Sequence, residues 1–253
     1  MIKALVDVSD FKRRRKEAWE RNLRYWLAGN LRHVVDVGPY IARRVRDLCQ
    51  RNPPVAPAVL DMGFGSAWLL EALLREGMRF SYLGVDSTPD FVTEARRRFS
   101  GTGARFIQAD LEEKLTLGEQ VDIAVNAFNF FELCDLQTAM QNAAKHLRPG
   151  GRLFMSTIDK TYLILALSGD WNTFHENLRL YQELPGVKFD FQRIDLGDGV
   201  SKSLEYPSVL YSTQDYIAAA QEFDLHLKRY DEHAFTGRPI PKIYCHLEFE
   251  KSV

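Results

Sequence analysis

The sequence predicts an α/β protein: a doubly wound, mostly parallel sheet of seven strands, with helices ahead of the first strand and a helix-plus-hairpin insertion before the last two. Three observations predict it. Between Ala58 and Ile158 short apolar runs of strand length alternate with helical stretches until five strands have passed, the pattern of a parallel sheet covered on both faces. The first three runs each bring an acid to their end, Asp61, Asp86 and Asp110, and open α/β sheets bind ligands outside the carboxyl ends of their strands. The first run also leads into Gly63-Phe64-Gly65, whose glycines permit a tight turn and close approach of a ligand to the backbone.

Two helical patterns precede this core. One runs from Asp10 to Ala28 and bears Trp19, Leu23, Tyr25 and Trp26; the other runs from Pro39 to Gln50 with Ile41, Val45 and Leu48, and Asn52-Pro53-Pro54-Val55-Ala56-Pro57 follows as a stiff linker. The basic run Lys12-Arg13-Arg14-Arg15-Lys16 is followed by Glu17 and Glu20, so it reads as a solvated helix face rather than a nucleic-acid patch.

In the core, the run from Ala58 to Asp61 reads as a buried strand and Leu69 to Arg75 as the helix after its turn. Trp68 stands where a dinucleotide fingerprint needs a third glycine, which argues against a nicotinamide cofactor. Phe80 to Val85 is the second strand, and Asp86 at its end can accept both hydroxyl protons of a ribose, with Ser87 beside it. Ser87 or Thr88 suits the cap, and Pro89 the first turn, of the helix Phe91 to Phe99. After the third strand, Arg105 to Ala109, the Asp110 carboxylate and the Leu111 amide can pair with the edge of a purine. The fourth strand, Val121 to Ala127, contains Asn126 and leads through Phe128 to Asp135 into the helix Leu136 to Leu147, for which Asp135 is the natural cap. Arg148-Pro149-Gly150-Gly151 stops that helix ahead of the fifth strand, Arg152 to Ile158.

Beyond Ile158 the chain carries an insertion with a helical stretch from Trp171 to Leu184 and strict alternation from Val187 to Asp195. The turn Leu196-Gly197-Asp198-Gly199 folds that strand back into a hairpin. The core resumes with the helix Thr213 to Phe223 and two strands, Leu225 to Asp231 and Lys242 to Glu250, joined by a loop from His233 to Pro239. Four segments follow: helices over 1–52, a core over 53–159, the insertion over 160–212, and the end of the core over 213–253.

Composition fits an intracellular enzyme with one main domain. The 253 residues carry a formal net charge of -1 and 45% hydrophobic content, which demands neither nucleic acid nor membrane. Cys49, Cys134 and Cys245 share no metal or redox spacing, so a reducing cytoplasm is the expected setting. The first seven residues make neither a leader nor a span, and no dense acid or histidine cluster suggests a metal.

Asp61-Met62-Gly63-Phe64-Gly65, Val85-Asp86, Gln108-Ala109-Asp110 and Leu147-Arg148-Pro149-Gly150-Gly151-Arg152-Leu153, in that order and spacing, resemble the class I S-adenosylmethionine-dependent methyltransferases from about Ala58 to Ile158. The resemblance implies a Rossmann-like fold with S-adenosyl-L-methionine as cofactor. It places Gly63 and Gly65 under the methionine and ribose, Asp61 near the ammonium group, and Asp86 with Ser87 on the ribose. Asp110 and Leu111 fall on the adenine, and Asn126 on the methionine side. It also implies an N-terminal helical lid and an inserted cap over the carboxyl ends of the strands. On that footing Tyr25, Trp26, Tyr40, Asn129, Phe130 and Arg238 are the expected substrate pocket, and Glu132 and His233 the candidates to orient or deprotonate an acceptor. The implied activity is methyl transfer to nitrogen, oxygen or carbon of a small molecule, with secondary metabolism as one setting. Two alternatives stay open: aminobutyl transfer or cyclisation on the same fold, and a non-catalytic binding protein.

Overall fold

The structure, a computed structural model, describes residues 2–4, 7–21, 32–50, 56–128, 133–158, 160, 164, 168, 170–195, 203–235 and 242–253. In chain order its elements are β1 (Lys3–Ala4), α1 (Val8–Arg21), α2 (Arg32–Gln50), β2 (Ala58–Met62), α3 (Trp68–Arg75), β3 (Ser81–Asp86), α4 (Pro89–Arg98), β4 (Arg105–Gln108), β5 (Val121–Ala127), α5 (Leu136–His146), β6 (Leu147–Ile158), α6 (Trp171–Glu183), β7 (Lys188–Asp195), β8 (Ser203–Val209), α7 (Thr213–Gln221), β9 (Leu225–Phe235) and β10 (Lys242–Lys251).

Seven strands form one sheet in the order β4-β3-β2-β5-β6-β10-β9. Neighbours from β4 to β6 pair in parallel, and β10 alone is reversed, antiparallel to both β6 and β9. The central strands are apolar almost without interruption because both of their faces are covered. Along β2, Val59 packs with the cluster that includes Ile41 and Val45 of α2, Leu70 of α3 and Phe91 of α4. Leu60 and Met62 point the other way, into a cluster with Met140 of α5, Tyr216 of α7 and Leu247 of β10. Caps hold the helices in place: Asp135 accepts from the Thr138 amide at 2.9 Å, and Ser212 and Asp215 form a capping box on α7.

Several boundaries differ from expectation for physical reasons. Helix α2 begins at Arg32, so Pro39 lies inside it; Val37 and Ile41, both fully buried, bind this stretch to the sheet despite the missing N–H. Strand β6 begins at Leu147 and runs through Pro149-Gly150-Gly151, because that turn is accommodated as a bulge against β5: Val121 pairs with Leu147, but Ile123 pairs with Arg152. Helix α1 starts at Val8, its first amides taken by the Asp7 carboxylate; the remainder of the expected helix, from 22 to 28, lies outside the described residues.

The insertion supplies the expected hairpin, β7 with β8, and β1 adds a third antiparallel strand beside β7. The N-terminus and the insertion, separate segments in the sequence reading, therefore share one small sheet. Helix α1 leans on it, with Phe11 edge-on to Phe189 at 5.5 Å. A satellite core of Ile2, Ile164, Phe174 and Leu210 packs on Ile158 and so fixes this layer at the carboxyl end of β6.

Candidate active site

A cavity of about 660 Å³ opens at the carboxyl ends of β2, β3, β4 and β5. Its floor is the turn after β2. Gly63 and Gly65 both take positive φ, 79° and 53°, and the Gly63 amide donates to the Val85 carbonyl at 2.7 Å, which tucks the turn under the end of β3. A Cβ on Gly65 would meet nothing within 4 Å, so the space above the turn is open. Phe64 is folded down instead, its ring against Phe106 at 5.2 Å.

Asp86 joins the turn to the next strand. One carboxylate oxygen accepts from the Gly65 amide at 2.9 Å, and the other accepts from the Thr88 amide at 2.9 Å. Burial raises its pKa, while these two backbone donors hold it down. Asp86 thus ties the turn after β2 to the residue that precedes α4, and it lines the cavity. Ser87, Asp110 and Leu111 line the same cavity, and the Asp110 carboxylate accepts from the Glu112 amide at 2.9 Å, which fixes its rotamer.

Asp61 and Asn126, expected on the methionine side, stand behind the turn. Asp61 is buried and receives the Tyr82 hydroxyl at 2.5 Å; burial first, and the Asp86 charge with it, lifts its pKa to about 7. Asn126 donates to the Met62 carbonyl at 2.7 Å and so ties β5 to the end of β2. Next along β5, Phe128 holds a φ of 68° at the cavity wall, a costly conformation for a bulky side chain and one that clusters at functional sites.

The expected solvated face of α1 holds for Arg13 and Lys16, which are exposed at the cavity rim, and is corrected for Arg15, which is buried; Lys12 and Trp19 line the cavity as well. Sequence reasoning placed Trp19 on the pocket wall but missed Arg15, because Glu17 and Glu20 disguise the run as a surface pattern. The available signal was the spacing of Phe11, Arg15 and Ala18, which form one buried stripe.

Tyr40 and His233, 193 positions apart in the numbering, are brought together: their rings lie 4.0 Å apart, and the Tyr40 hydroxyl donates to Asp231 at 2.7 Å. His246 completes the group, 4.6 Å from Tyr40 and 5.1 Å from His233. Burial, then the charge of His233, pushes the His246 pKa down to about 4; its Nδ1 meets the Ser156 hydroxyl at 3.0 Å, and among the described residues its Nε2 and the His233 Nδ1 have no hydrogen-bond partner. Tyr244, on β10 with His246, lies 5.4 Å from Phe128, which connects this group to the cavity wall. His246 was passed over in the sequence, although Tyr244, His246 and Glu248 alternate on one face of β10. Glu132, Tyr25, Trp26, Asn129, Phe130 and Arg238 lie outside the described residues. Among the described residues no group of three or more metal-ligating side chains is found, and no helix is long and apolar enough to cross a membrane.

Comparison with known proteins bears on this geometry. Residues 59–151 match the family model described as a methyltransferase domain. The chain is similar to a ubiquinone biosynthesis O-methyltransferase of Sinorhizobium medicae, 31% identical over 136 residues, which are 51% of this chain and 54% of that protein. The chain thus spans about half the length of the curated relatives it matches. In fold it is similar to an S-adenosylmethionine-dependent methyltransferase of Clostridium acetobutylicum, with a TM-score of 0.65 at 15% identity over 92% of this chain and 99% of that one. It is also similar to the N-methyltransferase NodS of Bradyrhizobium japonicum, solved with S-adenosyl-L-homocysteine, with a TM-score of 0.57 at 15% identity over 91% and 97%. The domain match falls on the strands, turn and acids that build the cavity, so residues 59–151 are similar to a methyltransferase domain and the chain has the Rossmann-like fold of the S-adenosylmethionine-dependent methyltransferases it resembles.

Proposed function

We propose that this chain binds S-adenosyl-L-methionine in the cavity and transfers its methyl group to a small-molecule acceptor. One observation carries the reading: the ends of three adjacent parallel strands deliver the Gly63–Gly65 turn, Asp86 and Asp110 to a single cavity. The residues fit the cofactor. The open space above Gly65 admits a ligand to the backbone, the Asp86 carboxylate that lines the cavity suits a ribose hydroxyl, and the volume lies within the roughly 300–1,000 Å³ of small-molecule sites.

When bound, the cofactor supplies an electrophilic methyl carbon on a sulfonium. The protein's part is alignment and exclusion of water, which can account for most of the acceleration in such a displacement. Gly63, Gly65, Asp86 with Ser87, Asp110 and Leu111 orient the nucleoside, while Asp61 and Asn126 act from behind by holding β2, β3 and β5 in register. Trp19 and Phe128 wall the cavity. The acceptor lies toward Tyr40 and His233, in a pocket to which we assign Tyr25, Trp26, Asn129, Phe130 and Arg238. Glu132 and His233 take or orient the acceptor proton where the acceptor is a hydroxyl. The same reading makes the acceptor a free metabolite rather than nucleic acid, and the setting cytoplasmic.

Titration calorimetry with S-adenosyl-L-homocysteine tests the cofactor. Wild type should bind and Asp86→Ala should not; wild type without binding refutes the reading. Mass spectrometry of the nucleoside product tests the chemistry, since methyl transfer releases S-adenosyl-L-homocysteine and aminobutyl transfer releases methylthioadenosine.

A further inference from the structure

Three of the stretches that bound the cavity, α1 and the loops after β4 and β5, meet at one side chain outside the described ligand set. Glu112, immediately after Asp110 and Leu111, has a fully buried side chain. One of its oxygens accepts from Arg15 of α1 at 2.6 Å, with Lys12 of the same helix at 3.6 Å. The other accepts from two consecutive backbone amides, Cys134 at 2.6 Å and Asp135 at 2.8 Å, where the loop after β5 reaches α5. Each of these stretches lines the cavity: α1 through Lys12, Arg15 and Trp19, the loop after β4 through Asp110 and Leu111, and the loop before α5 through Leu133.

We propose that Glu112 is a positioning residue for the cofactor reaction, latching α1 over the cavity through Arg15 while it holds the loops after β4 and β5 in place, so that α1 must break the Arg15–Glu112 pair to release the nucleoside. The argument rests on three features of the contact. The pair is shielded from water, so it is not screened as a surface pair would be. The carboxylate is a charge-assisted acceptor for both backbone amides, so it cannot follow Arg15 without giving up bonds to α5. The Glu112 amide in turn orients the Asp110 carboxylate, so the latch and the adenine side of the cavity share one rigid turn.

The inference rests on the cofactor reading, and the experiment separates the two. Stopped-flow release of S-adenosyl-L-homocysteine and hydrogen exchange of residues 8–21 are measured for wild type, Glu112→Gln, Arg15→Met and the double variant. Release should quicken by about tenfold or more in each single variant, because changes at a contact act mainly on dissociation. Without ligand, the amides of α1 should exchange faster. The double variant should release no faster than the quicker single one, since both changes remove the same contact, and Arg15→Lys should recover part of the wild-type rate. A purely structural pair lowers the melting temperature and leaves release unchanged; that result, or additive effects in the double variant, overturns the latch. Wild type that binds no S-adenosyl-L-homocysteine overturns the cofactor reading and the latch together, whereas normal binding with unaltered release in Arg15→Met overturns the latch alone.

Discussion

Asp61→Asn should change how stability depends on pH, by an amount that follows from where Asp61 sits. Its carboxyl group is buried beneath the turn, receives the Tyr82 hydroxyl and faces Asp86; burial foremost lifts it from 3.8 to about 7. An acid with a raised folded pKa holds its proton more tightly in the folded chain than in the unfolded one. Below about pH 4 both states are protonated and the group contributes no slope; from about pH 4 to about pH 7 only the unfolded state ionises, and stability falls by up to about 1.4 kcal/mol per unit. Over the whole window the loss reaches about 4 kcal/mol, on the order of 10 °C in melting temperature for a chain of this size. Asparagine still accepts from Tyr82 but cannot ionise. The stability of the variant relative to wild type should therefore rise from about pH 4 to about pH 7 and then level off. Urea unfolding followed by tryptophan fluorescence at unit steps of pH measures it, and the subtraction removes every group common to both chains. A difference that stays flat across the window refutes the buried, proton-holding Asp61.

Two further perturbations probe the walls of the cavity. Gly84→Ala places a Cβ 2.7 Å from Phe64 and 3.0 Å from Phe106; overpacking of this kind costs about 1–3 kcal/mol. Because Phe64 lies between the two turn glycines, affinity for S-adenosyl-L-homocysteine should fall with stability; unchanged affinity in calorimetry would show that the ring moves without the turn. Asn142, buried on α5, accepts from the Leu115 amide and donates to the Leu111 and Glu113 carbonyls at 2.9 and 2.7 Å. Asn142→Ala leaves three backbone groups of that loop without their partner, a loss of about 2–4 kcal/mol in chemical unfolding, and a loss below about 1 kcal/mol would show that water replaces the amide.

The legible part of this site is the part made by local chemistry. A strand that ends in Gly-X-Gly, an acid at the next strand end and an aspartate cap before α5 are each encoded within a few residues, and the structure sets Gly63, Gly65, Asp86, Asp110 and Asp135 where such signals imply. What could not be read depends on distance. Arg15 and Glu112 are 97 residues apart, and neither differs in sequence from a solvated charge. Strand β1 has two residues, too few to show an alternation, yet it decides which layer α1 joins. The contact between Tyr40 and His233 similarly depends on the register of β9 with β10, which sets His233 opposite Tyr244 and Asp231 opposite His246.

Charge pairing over the cavity reconciles two features that otherwise conflict. A cofactor carrying a sulfonium sits badly beneath a helix with five consecutive basic residues: one unpaired cation about 10 Å away costs on the order of 1–2 kcal/mol at an effective dielectric near 20. Arg15 and Lys12 meet Glu112, Arg13 meets Asp10 and Glu17, and Lys16 approaches Glu20 at 3.9 Å. Pairing removes most of the net field, while the long side chains keep their apolar stems for covering the cavity. The pairs differ in kind. Those within α1 are exposed and contribute little, whereas the Glu112 carboxylate is buried and shared with the cavity loops. Its negative charge therefore offsets Arg15 and Lys12, two cations that line the cavity, from a buried position between the cavity loops. A basic α1 lining the cavity and a cationic cofactor are compatible because the counter-charge belongs to the loop that carries Asp110.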